Sequence, residues 1–570
     1  MTFYEILLVV AWLLPLAVGL WQIARPAHML RYAPYTAVPA LVAALAVPLD
    51  TSFELSWLLL GATLQLDAMG QAFLLFTATL WLVSGVVGMA YLQKDANRPR
   101  FFGYYMLAMS GNFGLIIAGD MLSYYLWFAV MSFASYGLVV HTGAEFARRA
   151  GSVYIQLVVI GEVLLFAALV MIASDNGSLL LPDASDATIS TLAAVLVFIS
   201  FGLKAGVIVL HVWLPLAHPA APVPASAVLS GAMIKAGLLG WMRFLQPAEF
   251  ALEWGEFLIM AGLLSAFYGA LVGVWQHDPK AVLAYSSISQ MGLITVGAGA
   301  SLLLPPESQP LALSAVMLYA LHHGLAKGAL FLGVGLIGTS RAMVGLLFVP
   351  ALALAGLPLT SGAVAKAELK YAAESLPPVW KDSLEMLLPL AAIGTTLLMA
   401  RFLHLMWTRA TGEKVPHPII RAGVLATIVV GLIVMPIWSQ ASDALQKSLE
   451  PEKLWVALWP ILAGTVIALG YGVLSRGMPA LKDFTIAAGD VLYPLEALIH
   501  GLLGGLVAVK KGVEAVADAI FVWAQRALQP SEAQKETAVA LELRLRNWTT
   551  AGSWLLGLAL VFLLAVWLGG

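Results

Sequence analysis

The sequence predicts an all-α polytopic membrane protein of about sixteen transmembrane helices, each near the 20 residues that cross a hydrocarbon core. Three observations carry this reading. Hydrophobic residues make up 61% of the 570-residue chain and charged residues 11%. Its 18 tryptophans are more than a single soluble core could hide. Apolar runs of spanning length recur from end to end, and positive and negative charges segregate into alternate loops between them.

The runs lie at 4–24, 33–49, 68–92, 102–119, 121–141, 152–174, 189–210, 225–246, 255–275, 281–300, 311–338, 344–372, 384–408, 419–438, 454–474 and 549–568. Residues 53–67 alternate apolar and polar around Gly61 and predict a short extracytoplasmic hairpin. The stretch 490–546 carries Glu496, His500, Lys510, Lys511, Glu514 and Asp518 among apolar turns. That pattern is too polar for a span, and it predicts an amphipathic lateral helix along the cytoplasmic interface, followed by a charged connector. The first residues lack a basic leader region and a small-residue cleavage site, so they are read as a retained first helix.

Orientation follows from the enrichment of Lys and Arg in cytoplasmic loops. One set of loops holds Arg25, Arg31, Lys94, Arg98, Arg100, Arg148, Arg149, Lys280, Arg341, Arg409, Lys414, Arg421 and Arg476. The other holds Asp50, Glu54, Asp67, Asp175, Asp183, Asp186, Glu249, Glu253, Glu307 and Glu374, with few cations (Lys381, Lys447 and Lys453). The segregation predicts an extracytoplasmic N-terminus in a cell membrane and puts 211–224, rich in Pro, in a cytoplasmic loop.

Composition also excludes chemistry. A net charge of -2 without basic runs leaves no electrostatic footprint for nucleic acid, and no phosphate-cradling glycine loop follows a strand. The absence of cysteine rules out disulfides, thiolate nucleophiles, iron-sulfur ligation and Cys-based zinc sites. The histidine pairs are adjacent (322, 323) or seven apart (211, 218), which does not suit a metal site. No cofactor is therefore expected in this chain.

What stands out is charge in the wrong solvent. An ionisable side chain deep in a span costs several kcal/mol and marks a partner, a wet cavity or a function. Glu162 lies near the middle of the sixth run, Lys204 in the seventh and Lys235 at the centre of the eighth. The eleventh run carries His322, His323 and Lys327, and the twelfth carries Lys366. His323 and Lys327 share a helix face, and Gly324 with Gly328 forms an adjacent ridge that admits a neighbouring helix. Pro and Gly interrupt the chain beside two of these lysines, at "LPLAHPAAP" and "LAGLPLTSG". Such breaks are tolerated only where protein or a water-filled cavity satisfies the freed backbone, and their spacing predicts two structural repeats.

In order along the chain, "GLKAGVIVLHVWLPLAHPAAPVPASAVLSGAMIKAG", "HDPKAVLAYSSISQMG", "ALHHGLAKGALFLGVG" and "ALAGLPLTSGAVAKAEL" closely resemble one family. This is the antiporter-like, proton-conducting membrane subunits of complex I, of hydrogenase-4 and formate hydrogenlyase, and of multisubunit cation/proton antiporters. The resemblance implies a core of fourteen helices with two inverted five-helix repeats and broken seventh and twelfth helices. A C-terminal lateral helix and a final span would complete the chain. It implies segments 1–100 (N-terminal helices and hairpin), 101–250 and 251–415 (the two repeats), 416–475 (further helices), 476–548 (lateral segment) and 549–570 (last helix). Carried over, Lys204, Lys235, His322, His323, Lys327 and Lys366 form a proton relay, with Lys366 exchanging protons with the outside. His211 and His218 become candidate proton-uptake groups at the cytoplasmic mouth.

The chain departs from the family at the fifth helix, where Ala129 stands in place of the glutamate that usually partners the seventh-helix lysine. Glu162 is the expected substitute partner of Lys204. The function implied is a proton-translocating, non-redox subunit of a redox-driven complex of the NADH:quinone oxidoreductase or membrane-bound hydrogenase kind. Its partners would be other membrane subunits and a peripheral redox arm. Two alternatives stand beside it: a multisubunit Na⁺/H⁺ antiporter subunit, and a coupling or structural subunit of an inorganic-carbon uptake complex.

Overall fold

A computed structural model describes residues 1–25, 30–182, 188–245, 251–305, 307–437, 450–477, 484–492 and 532–545, with isolated positions at 446, 448, 494, 514 and 518. Apolar surroundings leave a backbone no water to bond, so nearly all of it is helical. In order come α1 Phe3–Ala24, a 3₁₀ segment Leu30–Ala37 running into α2 Val38–Ala46, and the hairpin β1 Thr51–Leu55 with β2 Ala62–Leu66. There follow α3 Ala68–Tyr91, α4 Arg98–Ile117, α5 Met121–Val139, α6 Glu145–Asn176, α7 Thr191–Ala205, α8 Trp213–Ala220, α9 Val223–Val228 and α10 Lys235–Phe244. The second half holds α11 Ala251–Gly273, α12 Pro279–Leu303, α13 Gln309–Gly333, α14 Arg341–Gly345, α15 Phe348–Ala355, α16 Ser361–Glu374, α17 Pro378–Thr408, α18 Pro418–Ile437 and α19 Pro451–Gly477. A helix at Glu532–Leu545, α20, belongs to a separate unit that begins at Leu492.

Among the described residues ten helical stretches are long and apolar enough to cross a membrane, and three apolar helices are shorter. The run at 33–49 is the 3₁₀ segment with its nine-residue helix rather than one regular span. Most of the expected lateral helix and the expected span at 549–568 lie outside the described residues. The hairpin forms as its alternation predicts, with Thr51 opposite Leu66.

The core sits on α12 and α13, which are buried nearly all round, while α6 and α19 leave most of their apolar surface outward. Glycines set the close approaches. A Cβ on Gly262 of α11 would lie 2.5 Å from the Gly292 carbonyl oxygen of α12, so the two helices touch backbone to backbone. The ridge on α13 works the same way: Gly324 faces the Gly231 carbonyl, and Gly328 faces Leu80 of α3. At the edge, Asp67 caps α3 by accepting from the Gly70 N–H at 2.7 Å and takes two bonds from Arg243 of α10.

Two interruptions carry the pseudo-symmetry. After α7, Gly206 is left-handed (φ 73°) and Val209 also has positive φ (71°); after α15, Gly356 (φ 94°) and Leu359 (φ 67°) repeat the pattern at the same spacing. The hydrogen bonds match as well. Gly206 and Val207 N–H both donate to Gly202 O, and Gly356 and Leu357 N–H both donate to Leu352 O. The lysines sit on opposite sides of their breaks, two residues before Gly206 and ten after Gly356, which hides the repeat in the letters.

The first interruption corrects the reading of 211–224 as a cytoplasmic loop. The chain breaks earlier, at 206–212, and Trp213–Ala220 is a buried half-helix. Its prolines fit because Pro222 has no N–H for the His218 carbonyl, and the Ser226 hydroxyl donates to that oxygen instead at 3.0 Å. Between α9 and α10 a π turn, Leu229–Met233, widens the helix at the core.

Two stability predictions follow from the first break and one from the Asp67 cap. Val209 is β-branched in a left-handed conformation, so Val209→Gly should stabilise the purified protein by about 1 kcal/mol. Gly206→Ala should bring no such gain and should lower the melting temperature, since its Cβ would lie 2.0 Å from Leu214 Cδ1; thermal unfolding in detergent measures both. Burial opposes ionisation of Asp67, but the charge and hydrogen bonds of Arg243, with the Gly70 N–H, hold its carboxyl below the ordinary value of 3.8. Its stabilisation is present above that value and lost as pH falls through the lowered one. Asp67→Asn should therefore cost about 2 kcal/mol near neutral pH, with the difference from the parent closing in acid below the usual carboxylate range.

Candidate functional site

Lys204 occupies the last turn of α7 and is 5% exposed. Its ammonium donates to Ser132 Oγ of α5 at 3.2 Å and to the Tyr154 hydroxyl of α6 at 3.3 Å. Tyr154 in turn donates to the Ser132 carbonyl at 3.0 Å, which fixes both groups on the lysine. Glu162 lines the same cavity, which has about 20 Å³ of room, enough for one water. Its Oε2 has no hydrogen-bond partner among the described residues. Glu162 and Lys204, the expected pair, thus face one cavity, while the ammonium's hydrogen bonds go to Ser132 and Tyr154. Ser132 lies one turn beyond Ala129 on α5, so a hydroxyl supplies the fifth-helix contact.

The break between α7 and α8 is held by side chains that take its loose backbone. Ile208 N–H donates to Ser265 Oγ of α11 at 2.9 Å, and the Trp213 indole donates to the Leu203 carbonyl at 2.7 Å. His211 and His218 are both fully buried rather than set at a solvent-facing mouth, because residues 211–220 are drawn into the core with α8. His218 stacks on Phe331 of α13, with ring centres 4.6 Å apart.

At the centre, Lys235 uses the π turn: its ammonium donates to the Ser230 carbonyl, five residues back. Ser230 Oγ shares a hydrogen bond of 2.7 Å with Ser287 Oγ on α12. Lys327 donates to the Leu283 carbonyl of α12 at 2.8 Å, so α12 receives both central lysines' surroundings on one buried face. Further along that face Gln290 donates to Thr395 Oγ1 of α17 at 2.9 Å and accepts from the Tyr319 hydroxyl at 3.1 Å.

His322 hydrogen-bonds Ser361 Oγ at 2.8 Å through Nδ1, tying α13 to the first turn of α16. Gly362 makes that approach possible, since a Cβ there would lie 1.7 Å from the Ala353 carbonyl oxygen and 3.0 Å from His322 Nε2. Lys366 donates back across the second break to the Ala355 carbonyl at 2.7 Å. It opens into a cavity of about 70 Å³ lined also by Tyr319, Lys370, Glu374 and Lys453, room for several waters.

Glu162 and Lys204 thus share one cavity, Lys235 and Lys327 donate to carbonyls in the core beside buried His323, and His322 and Lys366 meet at the second break. Many polar atoms here have no hydrogen-bond partner among the described residues: both ring nitrogens of His211, His218 and His323, Nε2 of His322, and the hydroxyls of Ser286 and Ser289. Buried groups of this kind take ordered water as their partner. Sequence reasoning missed Ser132, Tyr154, Ser287, Gln290, Tyr319 and Thr395. Hydroxyls and amides are unremarkable in apolar runs, although the cluster "YSSISQ" was a visible excess of polar groups in a buried helix. Among the described residues no group of three or more His, Asp or Glu side chains converges as a metal site would require.

Residues 118–380 match the model of a family described as NADH:quinone oxidoreductase/Mrp antiporter, transmembrane. The chain is 30% identical over 291 residues to hydrogenase-4 component B of Escherichia coli, covering 48% of this chain and 43% of that protein. It is 27% identical over 427 residues to a Na⁺/H⁺ antiporter subunit of Alkalihalophilus pseudofirmus, covering 66% and 83%. The chain spans about half the length of the curated relatives it matches at 30% identity or above. In fold it resembles the Mrp complex from Dietzia sp. DQ12-45-1b, with a TM-score of 0.72 and 22% identity over 93% of this chain and 64% of that one. A second likeness, to an archaeal membrane-bound sulfane sulfur reductase, has a TM-score of 0.65 and 20% identity over 80% of this chain and 99% of that one. Residues 118–380, which match the NADH:quinone oxidoreductase/Mrp antiporter model, hold Glu162 and all of the buried lysines and histidines described above, in a multi-pass membrane protein with an antiporter-like fold.

Proposed function

We propose that the chain is a proton-translocating subunit of a multisubunit membrane complex and that it draws its energy from redox partners. The observation that supports this reading best is a set of ionisable side chains on α6, α7, α10, α13 and α16, read as one axis and set among hydroxyls, an amide and two cavities. A lysine among apolar side chains releases its proton readily, and a carboxylate nearby restores its hold. In this scheme Glu162 is the carboxylate that modulates Lys204 across their shared cavity. Lys235, His323 and Lys327 pass protons through the centre, His322 links them to α16, and Lys366 exchanges them at its larger cavity. One break in each half supports a division into two repeats, 101–250 and 251–415. The segregation of loop charge supports an extracytoplasmic N-terminus in a cell membrane.

The likeness to hydrogenase-4 component B supports a redox-driven complex with a peripheral arm. The likeness to the Alkalihalophilus antiporter protein over most of that protein's length supports a second reading, in which the same axis exchanges Na⁺ for H⁺. Affinity purification through a tag on this chain, followed by metal analysis, separates them. Iron or nickel in copurifying proteins favours the first, whereas small hydrophobic subunits without metal favour the second.

In proteoliposomes containing the purified complex, Lys204→Ala, Lys235→Ala, Lys327→Ala and Lys366→Ala should each lower proton flux at least about tenfold. Glu162→Gln should lower it comparably while leaving assembly intact. Parental flux in Glu162→Gln beside an inactive Lys204→Ala would remove Glu162 from the relay.

A further inference from the structure

A further carboxylate lies outside the relay. Residues 484–491, which follow α19 in the chain, lie against α11 and α12 beside the first break. Phe484 packs edge-on against Trp275, with ring centres 4.8 Å apart. The Ile486 carbonyl accepts from Gln276 Nε2 at 2.9 Å, and left-handed Gly489 seats on Leu216 of α8. The segment therefore contacts the same half-helix that follows the break.

This strap delivers Asp490 to a specific place. One carboxylate oxygen accepts from the Tyr285 hydroxyl of α12 at 2.8 Å, and the other accepts from the Tyr268 hydroxyl of α11. The Gly489 N–H donates to the Tyr285 oxygen at 3.3 Å, which fixes the arrangement further. Behind the tyrosines lies His211, whose ring centre is 4.9 Å from that of Tyr268 and 6.4 Å from that of Tyr285. Exposure falls in the same order: Asp490 is half-buried, and Tyr285 and His211 are fully buried. Neither nitrogen of His211 has a hydrogen-bond partner among the described residues. Two residues on, Trp213 lines the Lys204 cavity.

We propose that Asp490 is the proton-collecting carboxylate of the first repeat, an inference that rests on the relay reading above. It binds a proton from the side that carries the Gln276–Lys280 loop. The carboxyl O–H then breaks as a tyrosine oxygen takes that proton and releases its own toward His211, where an N–H bond forms. Asp490 is left as carboxylate and His211 as imidazolium, and no other bond changes. His211 thus works as an interior acceptor, fed by a side chain that lies far away in sequence.

The test uses the intact complex in proteoliposomes, with proton flux driven by an imposed potential and read by a pH-sensitive dye. Asp490→Asn should lower the initial rate at least about tenfold, and Asp490→Glu should recover most of it. Gln276→Ala loosens the strap without touching the carboxylate and should keep more than half of the rate. Lys204→Ala, measured in parallel, should be inactive. Asp490→Asn within twofold of the parent beside an inactive Lys204→Ala would overturn the role of Asp490 and leave the relay standing. Failure of Asp490→Glu to recover, with Gln276→Ala falling as far as Asp490→Asn, would reduce Asp490 to an anchor of the strap. Parental flux in Lys204→Ala would overturn the relay instead.

Discussion

Inside an apolar medium every backbone N–H and C=O must find a partner within the protein, and the two unwound breaks are where this constraint is most demanding. At each, a left-handed glycine ends one helix and a second residue of positive φ turns the chain into the next. The groups freed there are met by side chains: Ser265 and Trp213 at the first break, Lys366 at the second. Polar chemistry accumulates at the breaks because the breaks require it.

The same constraint organises the centre of the molecule. The π turn before Lys235 leaves the Ser230 carbonyl for an ammonium to use, and Lys327 takes the Leu283 carbonyl of the neighbouring helix. Glycine contacts between α11 and α12, and between α13 and the π turn, bring the backbones close enough for these side chains to meet. Close packing and buried charge are thus two aspects of one arrangement, since short interhelical distances give a buried ammonium its acceptors.

The first break shows how a buried ammonium is satisfied without a direct carboxylate contact. Lys204 is held by hydroxyls from α5 and α6, and Glu162 faces the same small cavity. A carboxylate held one step away interacts with the lysine less strongly than a direct partner would. It leaves room for a water between them.

Much was legible in the sequence because the solvent writes it there. Apolar runs marked the spans, the hairpin alternated, and the lysines inside apolar runs pointed to ionisable groups that the fold buries or half-buries. The glycine ridge on α13 followed from helical periodicity alone. Tertiary structure decided the rest. Residues 211–224 read as a loop between two apolar runs, yet 213–220 form a buried half-helix, and the Ser226 hydroxyl takes the His218 carbonyl that Pro222 cannot serve. The contact of Ser132 with Lys204, and that of Asp490 with Tyr268 and Tyr285, join residues 72 and more than 200 positions apart. No local pattern encodes such pairs. The sequence determined which groups the membrane would have to bury, and only the folded chain decided which partners would satisfy them.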